Sequence, residues 1–147
     1  MGIMGMYTEL NCAVRLKEDI PAQIIEVLMH MLDHRKPAPS PLSPHPLFST
    51  NRWDMILTCS SYYVACCEAQ SAVWLDDITH QYCVTVRSNL KNYDGEIEKF
   101  IDWITPHVDA MEGDFIGYSR YEETEVPTLL YYPNRSFTPS LPSEITA

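Results

Sequence analysis

Cysteine, histidine and carboxylate side chains are the natural starting points for chemistry in this chain, and their spacing narrows what they can do. There are five cysteines (Cys12, Cys59, Cys66, Cys67, Cys83) and five histidines (His30, His34, His45, His80, His107). A structural zinc site draws two ligands from a tight knuckle. Here Cys66 and Cys67 are adjacent, Cys59 is too distant, and only His80 and Cys83 have ligand-like spacing. The cysteines therefore read as small buried hydrophobes, with no metal or cofactor expected. A cysteine nucleophile needs a histidine or cation beside it, and no local signature supplies one. With five glycines in 147 residues, a glycine-rich phosphate cradle is not available. Serine-hydrolase, zinc-protease and P-loop motifs are absent too. The paired acids Asp76-Asp77 and Glu122-Glu123 leave one enzymatic alternative, a metal-dependent hydrolase, although adjacent acids on a strand point apart.

Charge is more informative. The chain carries 10 basic and 20 acidic residues, a formal net charge of -10. Non-specific nucleic-acid binding and docking on anionic lipid both run against that sign. Between Asp94 and Glu125 ten acids face only Lys99 and Arg120, so most of the excess sits in one window. Glu98, Asp102, Asp109, Glu112, Glu122 and Glu123 are therefore expected to form an acidic surface, centred on a helix, that steers a basic protein partner. A second candidate surface is the sheet face that helices leave bare. Strand alternation puts Arg15, Lys17, Asp54, Thr85 and Arg87 there, joined by Tyr118 and Arg120 in one register. Arginines beside a tyrosine would suit a small phosphate-bearing ligand such as a nucleotide, or a second copy of the chain.

The elements that must position these side chains are legible from periodicity. Leu10, Cys12, Val14 and Leu16 alternate with polar residues, which predicts a half-buried strand. Pro21 to Leu32 carries a helical stripe with Pro21 at its first position. Five prolines between 37 and 46 predict an extended surface loop spanning 36–47. Trp53 to Cys59 alternates as a second strand, extended by Tyr62-Tyr63-Val64. Ala72–Leu75 and Gln81–Arg87 pair as a hairpin. Ile97, Phe100, Ile101, Ile104 and Val108 give a second helix, capped by Asn92 or Asp94 and stopped at Pro106. Strands at 115–122 and 128–132 complete one domain over residues 1–132, and 133–147 reads as a tail. The predicted class is α+β, with two helices on one face of a mainly antiparallel sheet. A ferredoxin-like arrangement with extra strands is the first choice, and an irregular α+β sheet the second.

Several stretches, among them Arg52-Trp53-Asp54, Cys59-Ser60-Ser61-Tyr62-Tyr63, Val86–Asp94, Gly117–Glu123 and Tyr7-Thr8-Glu9-Leu10, resemble a group of small proteins encoded by bacteriophages and prophages. The resemblance spans roughly residues 7 to 132 outside the proline-rich loop. It implies a setting, an accessory gene of a mobile element acting in the bacterial cytosol, and it carries over no catalytic residues. The first six residues lack the basic and apolar regions of a secretory leader, and an odd cysteine count does not suggest a disulfide framework, which fits that compartment. The expected function is a non-enzymatic protein that binds and modulates a host protein through the acidic helix face or the aromatic sheet face, with homodimerisation possible on the latter.

Overall fold

The computed structural model describes residues 6–61 and 68–140. Six strands form one antiparallel sheet in the order β2-β3-β1-β4-β5-β6. In chain order they are β1 (Thr8–Arg15), β2 (Ala72–Leu75), β3 (Tyr82–Leu90), β4 (Phe115–Tyr121), β5 (Thr128–Tyr131) and β6 (Arg135–Phe137), with helices α1 (Ala22–Leu32) and α2 (Glu96–Ile104). β1 and β2 run the same way with β3 inserted between them. β3 and β4 do likewise around β1. These are two split strand-helix-strand units, the ferredoxin-like pattern, with β5 and β6 added beyond β4.

Alternation explains which face is buried. Leu10 and Leu16 of the β1 segment are fully buried, and Cys12 nearly so. Val84, Val86 and Leu90 of β3 lie on the same side, because the register pairs Val14 with Val84 and Cys12 with Val86. Ile24, Val27, Leu28 and Met31 of α1 and Ile97, Phe100, Ile101 and Ile104 of α2 close this core from above. Each fully buried side chain of that size contributes about 1.5–3 kcal/mol. Pro21 stands one residue earlier than expected, as the extended residue that caps α1. The capping position of α2 is Gly95, at φ +70°, and not Asn92 or Asp94, although Asn92 Oδ1 accepts from the Ile97 amide at 2.8 Å in the first turn. No helix among the described residues is long and apolar enough to cross a membrane.

Two sequence expectations are corrected. Residues 53–59 are not a strand: Trp53–Met55 form a short 3-10 helix followed by turns. Ile56 and Leu57 are consecutive and both fully buried. A strand would have sent one of them to solvent, whereas a turn lets both enter the core. The proposed extension at Tyr62-Tyr63-Val64 lies outside the described residues. Nor does the sheet stop at Tyr132. Arg135–Phe137 pair with β5 and occupy the strand edge that a tail would have left open.

The proline-rich loop is tied down rather than free. His45 Nε2 donates to Asp102 Oδ2 of α2 at 2.8 Å, while its Nδ1 accepts from the Leu47 amide at 3.0 Å. Leu47, one residue past the prolines, is fully buried beside the helices.

The uncovered sheet face as a candidate binding site

The side of the sheet opposite the helices receives every second residue of each strand, and the register shows which ones meet. Arg87 of β3, Asn11 of β1, Tyr118 of β4, Leu129 of β5 and Phe137 of β6 form one row across five strands. A second row is Ala72, Thr85 and Ala13, and a third is Trp74, Cys83 and Arg15. Asn89, Glu9 and Arg120 form a fourth. Phe115, Tyr131 and Arg135 align at the other end. Trp74, Phe115 and Phe137 are 46%, 56% and 58% exposed, a large share for side chains of this size. Aromatic residues and arginine without lysine form the composition of interface cores.

The centre of the face is low because its residues are small. Ala13 and Thr85 floor a shallow groove of about 580 Å³ whose lining includes Gln70, Arg87, Phe115 and Tyr118. The same two floor residues continue into a neighbouring hollow lined by Arg15, Trp74 and Cys83. The bulge between Phe115 and Gly117 swings Phe115 to the groove edge.

The four arginines differ in how they are held. Arg120 Nε donates to Glu9 Oε1 at 3.1 Å and Nη1 to the Thr124 carbonyl at 2.9 Å, so its head is committed to structure. Arg15 lies 4.0 Å from Asp76. No carboxylate among the described residues lies within ion-pair distance of Arg87, which is exposed. Arg135 is exposed at the β6 edge.

Asp76 organises the turn of the β2–β3 hairpin. Its Oδ1 accepts from the amides of Ile78 and Thr79, at 2.8 and 3.3 Å. Those backbone donors, aided by Arg15, hold its carboxyl below the usual carboxylate range. A depressed folded pKa means the interaction is present above the unfolded value near 4 and is lost as pH falls through the folded one. In an amide NMR titration, Ile78 and Thr79 should therefore move with a midpoint below the ordinary aspartate value. A midpoint at or above it would contradict this cap.

The sequence placed Arg15, Arg87, Tyr118 and Arg120 on one face, and the register brings them to one face. Asp54 is not there: it belongs to the 3-10 helix, where its carbonyl accepts from His34 Nε2. Lys17 falls beyond the end of β1. Trp74, Phe115, Leu129, Arg135 and Phe137 were missed. The alternation of Ala72 and Trp74 could have revealed the first, but a four-residue apolar run hides its period. Phe137 could not emerge while its segment was read as a tail.

The six acids do not form one surface. Glu98 and Asp102 are exposed on α2, one turn apart. Asp102 is occupied by His45 and by Asn134 Nδ2, the latter at 3.1 Å. Asp109 is not on the helix, which ends at Ile104; it accepts from Gln81 Nε2 at 2.7 Å near the Arg15 end of β1. Glu112 sits in the turn before β4. Glu122 accepts from the Tyr7 amide at the opposite end of β1, with Glu123 beside it. An eight-residue strand spans roughly 25 Å, so the acids sit at two separated ends.

That separation also bears on catalysis. Asp76 and Glu122, the acids weighed for hydrolysis, lie toward opposite ends of β1, the first by Arg15 and the second by Tyr7. No group of three or more His, Cys, Asp or Glu among the described residues is arranged to hold a metal ion. Cys12, Cys59 and Cys83 are free thiols. Burial pushes the Cys12 thiol up to about 12, which suppresses the thiolate a nucleophile needs. Cys66 and Cys67 lie outside the described residues. Compared with protein-family models, with curated proteins and with solved structures, the chain gave no match, so the site is read from its own geometry.

Proposed function

We propose that this chain is a non-enzymatic binding protein whose working surface is the uncovered face of the sheet, and that it engages another protein there. The observation that carries this reading is the row Arg87, Asn11, Tyr118, Leu129 and Phe137, flanked by Trp74 and Phe115, on a face that no helix among the described residues covers. Contiguous exposed apolar area rimmed by arginine is what a recognition surface presents. The helix side is the poorer candidate, because Asp102 of α2 is spent on hydrogen bonds with His45 and Asn134. The resemblance to phage-encoded proteins supplies the proposed setting: a host protein as partner, in a reducing bacterial cytosol.

The test is affinity capture from bacterial lysate with the wild-type chain and with Phe115→Ala/Phe137→Ala. Truncating an interface aromatic of the hot-spot kind costs about 2 kcal/mol or more, so the double variant should lose over tenfold in affinity. A stoichiometric partner retained equally by both proteins would place the interface elsewhere.

A further inference from the structure

The groove across the middle of this face has the shape and charge of a small-ligand site. Its floor, Ala13 and Thr85, stands between the taller side chains of Phe115 and Tyr118 on one side and Gln70 and Arg87 on the other. Its volume, about 580 Å³, falls within the roughly 300–1,000 Å³ of small-molecule sites. Tyr118 and Arg87 share one row with only Asn11 between them, about 10 Å apart at two strand spacings. A planar heterocycle laid on the small-residue floor therefore packs against the Tyr118 and Phe115 rings. A phosphate carried by it falls within reach of the Arg87 guanidinium, the arginine that lines the groove, which has no carboxylate partner among the described residues.

We infer that this groove binds a mononucleotide, with the base against Tyr118 and Phe115 and the phosphate on Arg87. Charge selects the monomer over a strand: one guanidinium matches one phosphate, while a long polyanion meets a chain of net charge -10. The inference rests on the sheet face being the working surface. A bound nucleotide would fill the centre of that face and compete with a protein partner for it.

Isothermal titration calorimetry on the purified chain tests this directly, using AMP, GMP, CMP and UMP, the corresponding nucleosides, inorganic phosphate and a short single-stranded oligonucleotide. At least one mononucleotide should give a one-to-one isotherm and bind at least tenfold more tightly than its nucleoside or phosphate alone. Arg87→Ala should weaken it tenfold or more, Tyr118→Leu should also weaken it, and Arg35→Ala, exposed in the turn after α1 and away from this face, should stay within twofold of wild type. Absence of heat with all four mononucleotides, or unchanged affinity in Arg87→Ala, overturns the inference. Tighter binding of the oligonucleotide than of any mononucleotide overturns it as well and assigns the groove to a strand. None of these results depends on the lysate capture, so nucleotide binding can fail while the protein-binding reading stands, and the converse.

Discussion

Gly117→Ala is expected to lower the melting temperature by roughly 10 °C or more, a larger loss than the same change at Gly95 or Gly113. Gly117 has φ +154° and lies where β4 meets β1 opposite Cys12. A Cβ there would fall 2.1 Å from the Asn11 carbonyl oxygen and 2.6 Å from both Cα and Cβ of Cys12. No rotamer change relieves a clash with backbone, so the two strands must part. Backbone strain of about 1–3 kcal/mol and overpacking of about 1–3 kcal/mol then add. Against a total stability of about 5–15 kcal/mol for a domain, that is a large share. The seam that opens runs between Asn11 and Tyr118, so the variant should also lose whatever the groove binds. Gly113→Ala provides the contrast: φ is again positive, at +94°, but the nearest atom to a Cβ is the flexible Arg135 Nη2 at 3.7 Å. Thermal unfolding followed by circular dichroism separates the two. A Gly117→Ala protein melting within 2–3 °C of wild type, a shift of about 1 kcal/mol or less, would mean the strands are not this close.

Glu96→Ala should cost about 2–4 kcal/mol. Glu96 is fully buried in the first turn of α2. Its Oε2 accepts from the Arg52 amide at 3.2 Å and its Oε1 from the Asp94 amide at 3.0 Å. The carboxylate thus pins the segment around residue 52 to the start of the helix, assisted by Asp94 Oδ2 accepting from the Asn51 amide at 3.1 Å. The helix dipole favours its charge at this end. Removing it strands two amide donors, each worth about 1–3 kcal/mol when buried without a partner. Glu96→Gln keeps one acceptor and should recover about half of the loss. Chemical denaturation of the three proteins would show this ordering, and equal stability of wild type and Glu96→Ala would contradict the packing described.

How far these features can be read from residues alone depends on how local their cause is. The hydrophobic period of Leu10 to Leu16 and of Ile97 to Ile104 is set by strand and helix geometry, so β1, α2 and the α+β class were legible. The face carrying Arg15, Arg87, Tyr118 and Arg120 followed from parity alone, since a strand offers only two sides. Parity did not reveal that Arg120 is held by Glu9 across the β1–β4 ladder, which is a long-range fact. The alternation from Trp53 to Cys59 misled because tertiary packing took both Ile56 and Leu57 into the core. β6 was invisible because three exposed residues carry no period, and only the open edge of β5 explains their pairing. The acidic window was read as one surface because its residues are near in sequence, yet the turn at Pro106 and the run of β4 carry them to different ends of the sheet.

The central claim is that binding occurs on the bare sheet face and not on the helices. Site-specific photo-crosslinking addresses it most directly, with a photoreactive phenylalanine analogue replacing Phe137 on the sheet face in one protein and exposed Glu26 of α1 in another. The account predicts that irradiation in bacterial lysate joins one discrete partner at position 137 and none at position 26. Crosslinking from position 26 with silence at 137 would contradict it and move the working surface to the helices.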